Sequence, residues 1–315
     1  MRDSFGRTID YLRLSVTERC DLRCRYCMEE AGVPKRSHAE MLTLEELAEI
    51  GGAAVALGVR KIRLTGGEPL VRRGLLDLCR SLSALPGLSE LCLTTNGAQL
   101  ARFAAPLRAA GVSRLNISLD TLQPEKFAYL TRRGNLQDTL DGIAAAEAAD
   151  FDRLKLNCVL MGGVNDDEIG DFLRLTEEHP WEVRFIELMP MGPCAGWPKA
   201  RFVPAETVLE VVPGLVPLRR DGVAELWHAP GWAGNVGLIR PMSHRFCDGC
   251  SRIRVTADGR LKPCLHSAAE IPLRGLHGEA LLSELRRGIA AKPAYHHMDQ
   301  DHASQSARDM NEIGG

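Results

Sequence analysis

Hydrophobic and polar residues alternate in six short segments of the chain. In the first segment, Leu12, Leu14 and Val16 flank Arg13 and Ser15, and a period of two residues is that of a β-strand. The other segments repeat this pattern. The alternation predicts strands over residues 12–16, 61–65, 90–94, 114–120, 154–160 and 183–188.

Helical segments separate these strands. Thr43 and Glu46 have the spacing of a capping box, and Gly58 follows the expected end of that helix. Further helices are predicted over residues 100–110 and 136–149. Because strands that alternate with helices are typical of parallel βαβ units, we predict an α/β fold. Six units are fewer than the eight of a closed barrel, which favours a partial (β/α)6 barrel.

The polar positions of the strands predict a polar barrel interior. Parallel strands buried on both faces are usually apolar throughout, whereas Arg13, Arg63, Asn116, Ser118 and Lys155 alternate here with apolar neighbours. We expect the apolar set to face the helices and the polar set to face the lumen, where it suits a polar, anionic ligand. The alternative is an amphipathic antiparallel surface sheet, which the helix after each strand disfavours.

Three of the ten cysteines lie close together after the first strand. Cys20, Cys24 and Cys27 have C-x3-C-x2-C spacing. Three thiolates on one loop can hold a cubane iron–sulfur cluster and leave one iron without a protein ligand, whereas closed electron-transfer clusters use four cysteines. The alternatives are a zinc knuckle or a coincidence of spacing.

A second cysteine trio lies near the other end of the chain. Cys247 and Cys250 precede a predicted hairpin over residues 252–262, and Cys264 follows it. The hairpin would bring the three thiols together. A zinc ribbon with His266 as the fourth ligand is the alternative at this point.

A glycine-rich turn follows the second strand, with the sequence Gly66-Gly67-Glu68-Pro69. Paired glycines let a backbone approach a ligand closely. Barrel active sites lie at the carboxyl ends of the parallel strands. The turn is therefore a candidate for holding an amino-acid moiety, although by itself it is only a turn.

Composition narrows the class of protein. The 315 residues are 45% hydrophobic and 25% charged, as in an ordinary soluble domain, and the net charge of −2 argues against a nucleic-acid partner. The first ten residues contain no apolar signal region, and no apolar run is long enough to span a membrane, so no membrane partner is expected. Cysteines in such a chain are expected in a reducing cytoplasm.

The first cysteine trio and the Gly-Gly-Glu-Pro turn together resemble the radical S-adenosylmethionine superfamily. Within it, the chain resembles the family of GTP 3′,8-cyclases (molybdenum cofactor biosynthesis protein A). Most superfamily members lack the second trio and the terminal glycines. The residues that carry the resemblance are Arg13, 61–69, 94–97, 116–120, 155–157, 185–190, 246–254 and Gly314-Gly315.

The resemblance implies two [4Fe-4S] clusters, S-adenosylmethionine and GTP, and it assigns residues to each. Cys20, Cys24 and Cys27 would hold the first cluster, and Cys247, Cys250 and Cys264 the second. The positions that match S-adenosylmethionine contacts are Tyr26, Gly67, Ser118 and Met189. Those that match GTP contacts are Arg13, Arg63, Thr94, Lys155, Arg252 and Arg254, with Lys61 and Arg184 as weaker candidates. Gly314 and Gly315 would enter the active site as a slender tail.

The resemblance also implies a reaction and partners. A 5′-deoxyadenosyl radical from S-adenosylmethionine would abstract hydrogen from C3′ of GTP, and ring closure would give 3′,8-cyclo-7,8-dihydro-GTP. A low-potential electron donor would supply the electron, and a cyclic pyranopterin monophosphate synthase would take the product.

The expected domains are a radical S-adenosylmethionine core over residues 5–220 and a second-cluster and GTP-binding region over residues 221–315, in a monomer or homodimer. Two other functions are the alternatives: a radical S-adenosylmethionine maturase that modifies a peptide, and a non-catalytic metal-binding scaffold.

Overall fold

Strands and helices alternate along most of the chain in the computed structural model, which describes residues 1–33, 36–298 and 303–314. The strands in these residues are β1 (Tyr11–Ser15), β2 (Lys61–Thr65), β3 (Glu90–Thr95), β4 (Arg114–Ser118), β5 (Arg153–Leu160), β6 (Glu182–Glu187), β7 (Val216–Asp221), β8 (Ala224–His228), β9 (Asn235–Ile239), β10 (Arg252–Val255), β11 (Arg260–Lys262) and β12 (Ile271–Pro272). The helices are α1 (Leu44–Ala56), α2 (Leu75–Ser83), α3 (Leu100–Ala109), α4 (Pro124–Thr131), α5 (Leu136–Ala148), α6 (Ile169–Glu178), α7 (Val208–Val211), α8 (Gly278–Ala290) and α9 (Met310–Ile313).

All six predicted strands are present, and their ends differ from the prediction by at most two residues. The fourth strand ends at Ser118 rather than at residue 120. Beyond its end, the Asp120 carboxylate accepts hydrogen bonds from the Val159 backbone and from Tyr26. The predicted capping box of α1 is also present, because Thr43 and Glu46 each accept the other's backbone N–H.

The predicted α/β partial barrel is confirmed. Strands β1 to β6 pair in parallel in chain order. The described residues form one sheet in the order β12-β11-β10-β1-β2-β3-β4-β5-β6-β9-β8-β7. The C-terminal part of the chain therefore extends the sheet at both edges, since β9 pairs in parallel with β6 and β10 with β1. The predicted hairpin is formed by β10 and β11.

The two faces of the strands differ as the alternation predicted. Apolar side chains such as Leu12, Leu14, Ile62 and Leu64 belong to one buried core with the apolar faces of the surrounding helices. The polar side chains on the opposite face are buried too, including those of Arg63, Lys155 and Arg254. Buried charged groups need ionic or hydrogen-bonding partners, so this polar face makes the lumen the candidate binding site.

No helix in the described parts of the chain combines the length and the apolar character that a membrane crossing needs.

Candidate active site

The first cysteine trio lies on the loop that follows β1. Cys20, Cys24 and Cys27 are free and half-buried, and the Cys27 N–H donates to the Cys24 carbonyl over 2.9 Å. Burial raises the pKa of the Cys24 thiol, and the neighbouring thiols of Cys27 and Cys20 raise it further. The three sulfurs are therefore close enough to influence one another, and thiolate ligands of a metal cluster fit this loop.

The Gly-Gly-Glu-Pro turn packs directly against this loop. The Gly67 N–H donates to the Thr17 carbonyl over 2.8 Å, and the Glu68 N–H donates to the Arg19 carbonyl over 2.8 Å. A Cβ atom on Gly66 would lie 2.4 Å from the Thr17 oxygen, and one on Gly67 would lie 2.3 Å from the Arg19 oxygen. Both glycines are required because the backbone before Cys20 fills the space of a side chain.

Glu68 connects this turn to the end of the next strand. Its buried carboxylate accepts hydrogen bonds from the Leu70 N–H, the Thr95 hydroxyl and the Asn96 N–H. Burial raises the pKa of Glu68 to about 8, although these hydrogen bonds oppose the shift. The Asn96 side chain in turn donates to Asp21 on the cluster loop over 2.7 Å. The loop is thus held by the ends of both β2 and β3.

The predicted S-adenosylmethionine contacts lie at the same rim of the barrel. Gly67 follows β2, Ser118 ends β4 and Met189 follows β6. The Tyr26 hydroxyl donates to the Asp120 carboxylate over 2.8 Å. These residues surround the first trio at the carboxyl ends of the strands, where barrel active sites form; their contacts with a cofactor stay predictions.

Three arginines stand side by side across β10, β1 and β2. The parallel register pairs Arg13 with Arg254 on one side and with Arg63 on the other. Neighbouring strands lie about 4.8 Å apart, so the guanidinium groups start from adjacent positions on the lumen face. We call Arg254, Arg13 and Arg63 the arginine row.

The arginine row concentrates positive charge in a buried place. Burial and the neighbouring charges of Arg63 and Arg252 together lower the pKa of Arg13 to about 10, against the opposing effect of Tyr11. Burial also lowers the pKa of Arg254, and Arg13 and Arg252 act in the same direction. Like charges at this spacing are unfavourable, and an anion with several oxygens would relieve them.

The sequence reasoning did not single out Tyr11. Its hydroxyl accepts a hydrogen bond from Arg63 Nε over 2.5 Å. Burial raises the pKa of this phenol, but Arg63 and Arg13 outweigh burial and bring it to about 8. The alternation of β1 could have identified Tyr11, since this residue occupies the polar-face position two residues before Arg13.

Lys155 and Arg184 are neutralised by the same two carboxylates. Lys155 is only 3% exposed, and its ammonium group pairs with Glu182 over 3.3 Å and with Asp221. Arg184 pairs with the same two carboxylates. The sequence reasoning missed both acids. Glu182 was detectable two positions before Arg184 on the same face of β6, whereas no local pattern indicates that Asp221 reaches Lys155 from the outermost strand.

Three further predicted GTP contacts lie beside the arginine row. Thr94 accepts a hydrogen bond from Arg63 over 3.4 Å. Lys61 pairs with Glu90 over 2.9 Å, so its charge is partly compensated. Arg252 occupies the register position next to Tyr11, one layer before Arg254. The structure therefore brings Arg13, Arg63, Thr94, Arg252 and Arg254 together, and their contacts with GTP stay predictions.

The second trio lies around the β10–β11 hairpin. Cys247 and Cys250 precede β10, and Cys264 follows β11. Burial raises the pKa of the Cys247 thiol, and the nearby thiols of Cys264 and Cys250 contribute. For Cys250, Arg252 and Lys292 outweigh burial and lower the pKa to about 6. A thiol held as thiolate beside two cations is suited to bind iron.

His266 contacts Ser304 and His296. Its Nδ1 lies 3.3 Å from the Ser304 hydroxyl, and its ring packs edge-on against His296 with centroids 4.8 Å apart. Over residues 1–33, 36–298 and 303–314, no three His, Cys, Asp or Glu side chains are grouped tightly enough to hold a single metal ion.

The C-terminal tail enters the barrel beside the arginine row. Helix α9 buries Ile313 completely, and the Asn311 side chain donates to the Glu18 carbonyl over 3.2 Å. Gly314 has φ +80°, and a Cβ atom there would lie 2.7 Å from Thr65 Cγ2 and 3.1 Å from Ser15 Cβ. Its carbonyl accepts a hydrogen bond from Arg254 over 2.7 Å. Gly315 lies outside the described residues.

An ionic network anchors this tail to both halves of the chain. Arg308 pairs with Asp258 over 2.9 Å and with Glu270 over 2.6 Å. Arg36 pairs with Glu18 over 3.0 Å and with Asp258 over 2.8 Å. Since Glu18 lies two residues before Cys20, the network joins the tail to the first cysteine loop and to the β10–β11 turn.

Comparisons with known proteins agree with this arrangement. Residues 14–176 match the family model described as the radical SAM superfamily, and residues 181–298 match the model described as Molybdenum Cofactor Synthesis C. The relative from Alkaliphilus metalliredigens named GTP 3′,8-cyclase is 46% identical and is covered over its full length. Those of the same name from Peptoclostridium acidaminophilum and Moorella thermoacetica are 48% and 47% identical, over 98% and 100% of their length. The three matches cover 100%, 99% and 100% of this chain.

Solved structures share the fold. Streptococcus suis SuiB bound to S-adenosylmethionine superposes with a TM-score of 0.59 at 14% identity, and SuiB bound to the precursor peptide SuiA with a TM-score of 0.63 at 13% identity. Each match covers 91% of this chain but only 65% and 66% of the SuiB chains. At this identity the likeness concerns the fold alone.

The packing of Gly67 against the cluster loop can be tested by substitution. We expect Gly67→Ala to displace the Arg19 backbone and to loosen the loop that carries the first trio. After anaerobic reconstitution, iron content should fall by about half, given cubane clusters of four irons. Gly196→Ala is the matched control, because a Cβ atom at Gly196 meets no atom within 4 Å. Wild-type iron content in Gly67→Ala would show that the contact is not needed.

Proposed function

The chain belongs to the GTP 3′,8-cyclase family of the radical S-adenosylmethionine superfamily, and on this premise we propose that it converts GTP to 3′,8-cyclo-7,8-dihydro-GTP. This reaction is the first step of molybdenum-cofactor biosynthesis. The observation that carries the proposal is the arginine row, which lies between two cysteine trios in a lumen that Gly314 enters. A triphosphate needs several cationic donors, and arginine supplies them in a fixed fork.

The enzyme uses two [4Fe-4S] clusters and S-adenosylmethionine. Cys20, Cys24 and Cys27 hold the first cluster in this proposal, and Cys247, Cys250 and Cys264 hold the second. When bound, the first cluster and S-adenosylmethionine supply one-electron reductive cleavage to a 5′-deoxyadenosyl radical. The other residues of the site bind and orient the substrate and exclude water from it.

The cationic residues of the lumen have different roles in binding GTP. The arginine row and Arg252 take the phosphates, because guanidinium groups on three adjacent strands together offer several hydrogen-bond donors to one anion. Lys155 contributes hydrogen bonds more than net charge, since Glu182 and Asp221 neutralise it and Arg184. Tyr11 holds Arg63 in position through its hydroxyl.

The terminal glycines shape the reaction space. Gly314 sits against Ser15 and Thr65 at the rim where the first cysteine loop begins, and its carbonyl orients Arg254. A side chain in this place would clash and would offer extra hydrogen atoms to a radical. In this proposal the backbone of Gly314 and Gly315 borders the reaction site without side chains and also excludes water.

We propose that the two parts of the chain each carry one cluster. Residues 5–220 carry the first cluster and S-adenosylmethionine, and residues 221–315 carry the second cluster, much of the arginine site and the tail. In this proposal a low-potential electron donor supplies the electron that the first cluster needs, and a cyclic pyranopterin monophosphate synthase takes the product. A peptide-modifying maturase is not favoured, because peptide substrates give the buried arginine row no role.

The two trios can be separated by single substitutions. We expect Cys24→Ala to abolish 5′-deoxyadenosine formation, because the first cluster loses one of three protein ligands. Cys264→Ala should lose about half of the iron, given cubane clusters, and should stop GTP conversion while it spares the first cluster. Anaerobic iron analysis and mass spectrometry of the nucleosides measure both effects. Cys79→Ala, at a buried cysteine of α2, is the control that should retain both clusters.

Either of two results would contradict the assignment of the trios. One is full 5′-deoxyadenosine formation by Cys24→Ala, and the other is a wild-type iron content in Cys264→Ala.

The role of the tail is tested by deleting Gly314 and Gly315. The deletion leaves α9 and the Arg308 network in place, so both clusters and S-adenosylmethionine binding should persist. GTP conversion should stop, because Arg254 loses its carbonyl partner and the reaction site loses the backbone that borders it. Product is quantified by mass spectrometry and S-adenosylmethionine affinity by anaerobic calorimetry. Unchanged turnover in the truncated enzyme would rule out a catalytic role for the two glycines.

A further inference from the structure

A second cavity of about 370 Å³ lies on the outer side of the first cysteine loop. Its lining includes Arg25, Arg132 and Arg201, with Glu29 as its acidic member, and the aromatic rings of Tyr129 and Trp197. We call it the outer cavity. Arg132 also pairs with the exposed Glu30 over 3.9 Å. None of these residues belongs to the predicted cofactor or substrate contacts, so the lumen site does not explain them.

The outer cavity is attached to the backbone of the cluster loop. The Arg132 guanidinium donates to the Arg23 carbonyl over 3.0 Å and to the Met28 carbonyl over 3.1 Å. The Arg25 N–H donates to the Leu130 carbonyl over 2.9 Å. Arg25 follows Cys24 directly, and Glu29 lies two residues after Cys27. The surface is therefore separated from the first trio by little more than the loop itself.

The charge of the outer cavity contrasts with that of the chain. Three arginines against one glutamate give its lining a positive excess, whereas the whole chain carries a net charge of −2. The arginines are held in place, since Arg25 donates to the Tyr129 carbonyl over 2.7 Å and Arg201 donates to the Gly162 carbonyl over 2.8 Å. A fixed positive surface attracts and orients an acidic partner.

The exposed aromatic ring fits a protein partner. Tyr129 is 50% exposed, and the Arg25 guanidinium stacks over its ring at 4.1 Å from the centroid. Arginine and aromatic side chains are enriched at protein interfaces. The tail contacts the lumen side of the cluster loop, because the Asn311 side chain donates to the Glu18 carbonyl. A partner protein would therefore approach the first trio from the outer cavity.

We propose that the outer cavity docks an acidic protein that donates single electrons to the first cluster. The inference rests on the proposed function, which needs an external reductant. The donor is oxidised by one electron and the first cluster is reduced by one electron, and no bond in either protein forms or breaks. Arg25 and Arg201 act as positioning residues that hold the donor against the loop.

The test uses a bacterial flavodoxin as the acidic donor and dithionite as a small reductant that needs no docking. We expect Arg25→Glu and Arg201→Glu each to weaken flavodoxin binding about tenfold by anaerobic calorimetry. Reduction of the enzyme by limiting flavodoxin hydroquinone, followed by stopped-flow absorbance, should slow by a similar factor. Both effects should shrink in high salt. Dithionite-driven 5′-deoxyadenosine formation should match that of the wild type.

Arg219→Glu is the matched control, because it makes the same charge change at an exposed position of β7, an edge strand of the sheet that contributes no residue to the lining of the outer cavity. It should leave flavodoxin binding and reduction unchanged. The proposal is overturned if Arg219→Glu has the same effect, if the two test variants bind flavodoxin like the wild type, or if they lose dithionite-driven activity as well. A wild-type enzyme that does not bind flavodoxin also overturns it. Absence of dithionite-driven 5′-deoxyadenosine in the wild type would instead contradict the proposed function.

Discussion

The parallel pairing of β10 with β1 is the constraint on which the rest of the site depends. It joins residues about 240 positions apart in sequence and sets Arg254 beside Arg13 and Arg252 beside Tyr11. The same pairing carries the second cysteine trio to the edge of the barrel that holds the first. Without this pairing, the two trios and the arginines proposed to bind the substrate would not lie close together in space.

This pairing places like charges together in a buried lumen, and the partners recorded for them differ between its two sides. On the β5–β6 side, Glu182 and Asp221 neutralise Lys155 and Arg184. On the β10–β1–β2 side, the partners of the arginine row include the Tyr11 hydroxyl and the Gly314 carbonyl, which carry no full charge in their usual forms. The arginine row is therefore a favourable place for an anion, since an oxyanion there replaces repulsion between guanidinium groups with charge-assisted hydrogen bonds.

Sequence patterns predicted the local structure well because local physics decides it. Alternation around Arg13 and Lys155 identified strands and their polar face, and the capping box at Thr43 fixed the start of α1. The pairing of β10 with β1 and the reach of Asp221 to Lys155 were not predictable, because both depend on contacts between distant segments. The glycines after β2 illustrate the limit at a single position: the sequence predicted a close approach to a ligand, and the structure shows a close approach to the Thr17–Arg19 backbone.

The most direct test of the account is the dependence of affinity on phosphate number. Anaerobic calorimetry with GTP, GMP and guanosine would compare the wild type with Arg13→Ala, the central member of the arginine row. We predict that affinity in the wild type rises with each phosphate, and that Arg13→Ala weakens GTP binding by about 1.5–3 kcal/mol but leaves guanosine binding nearly unchanged. Equal affinities of the wild type for GTP and guanosine, or equal losses for both ligands in the variant, would contradict the assignment of the arginine row to the triphosphate.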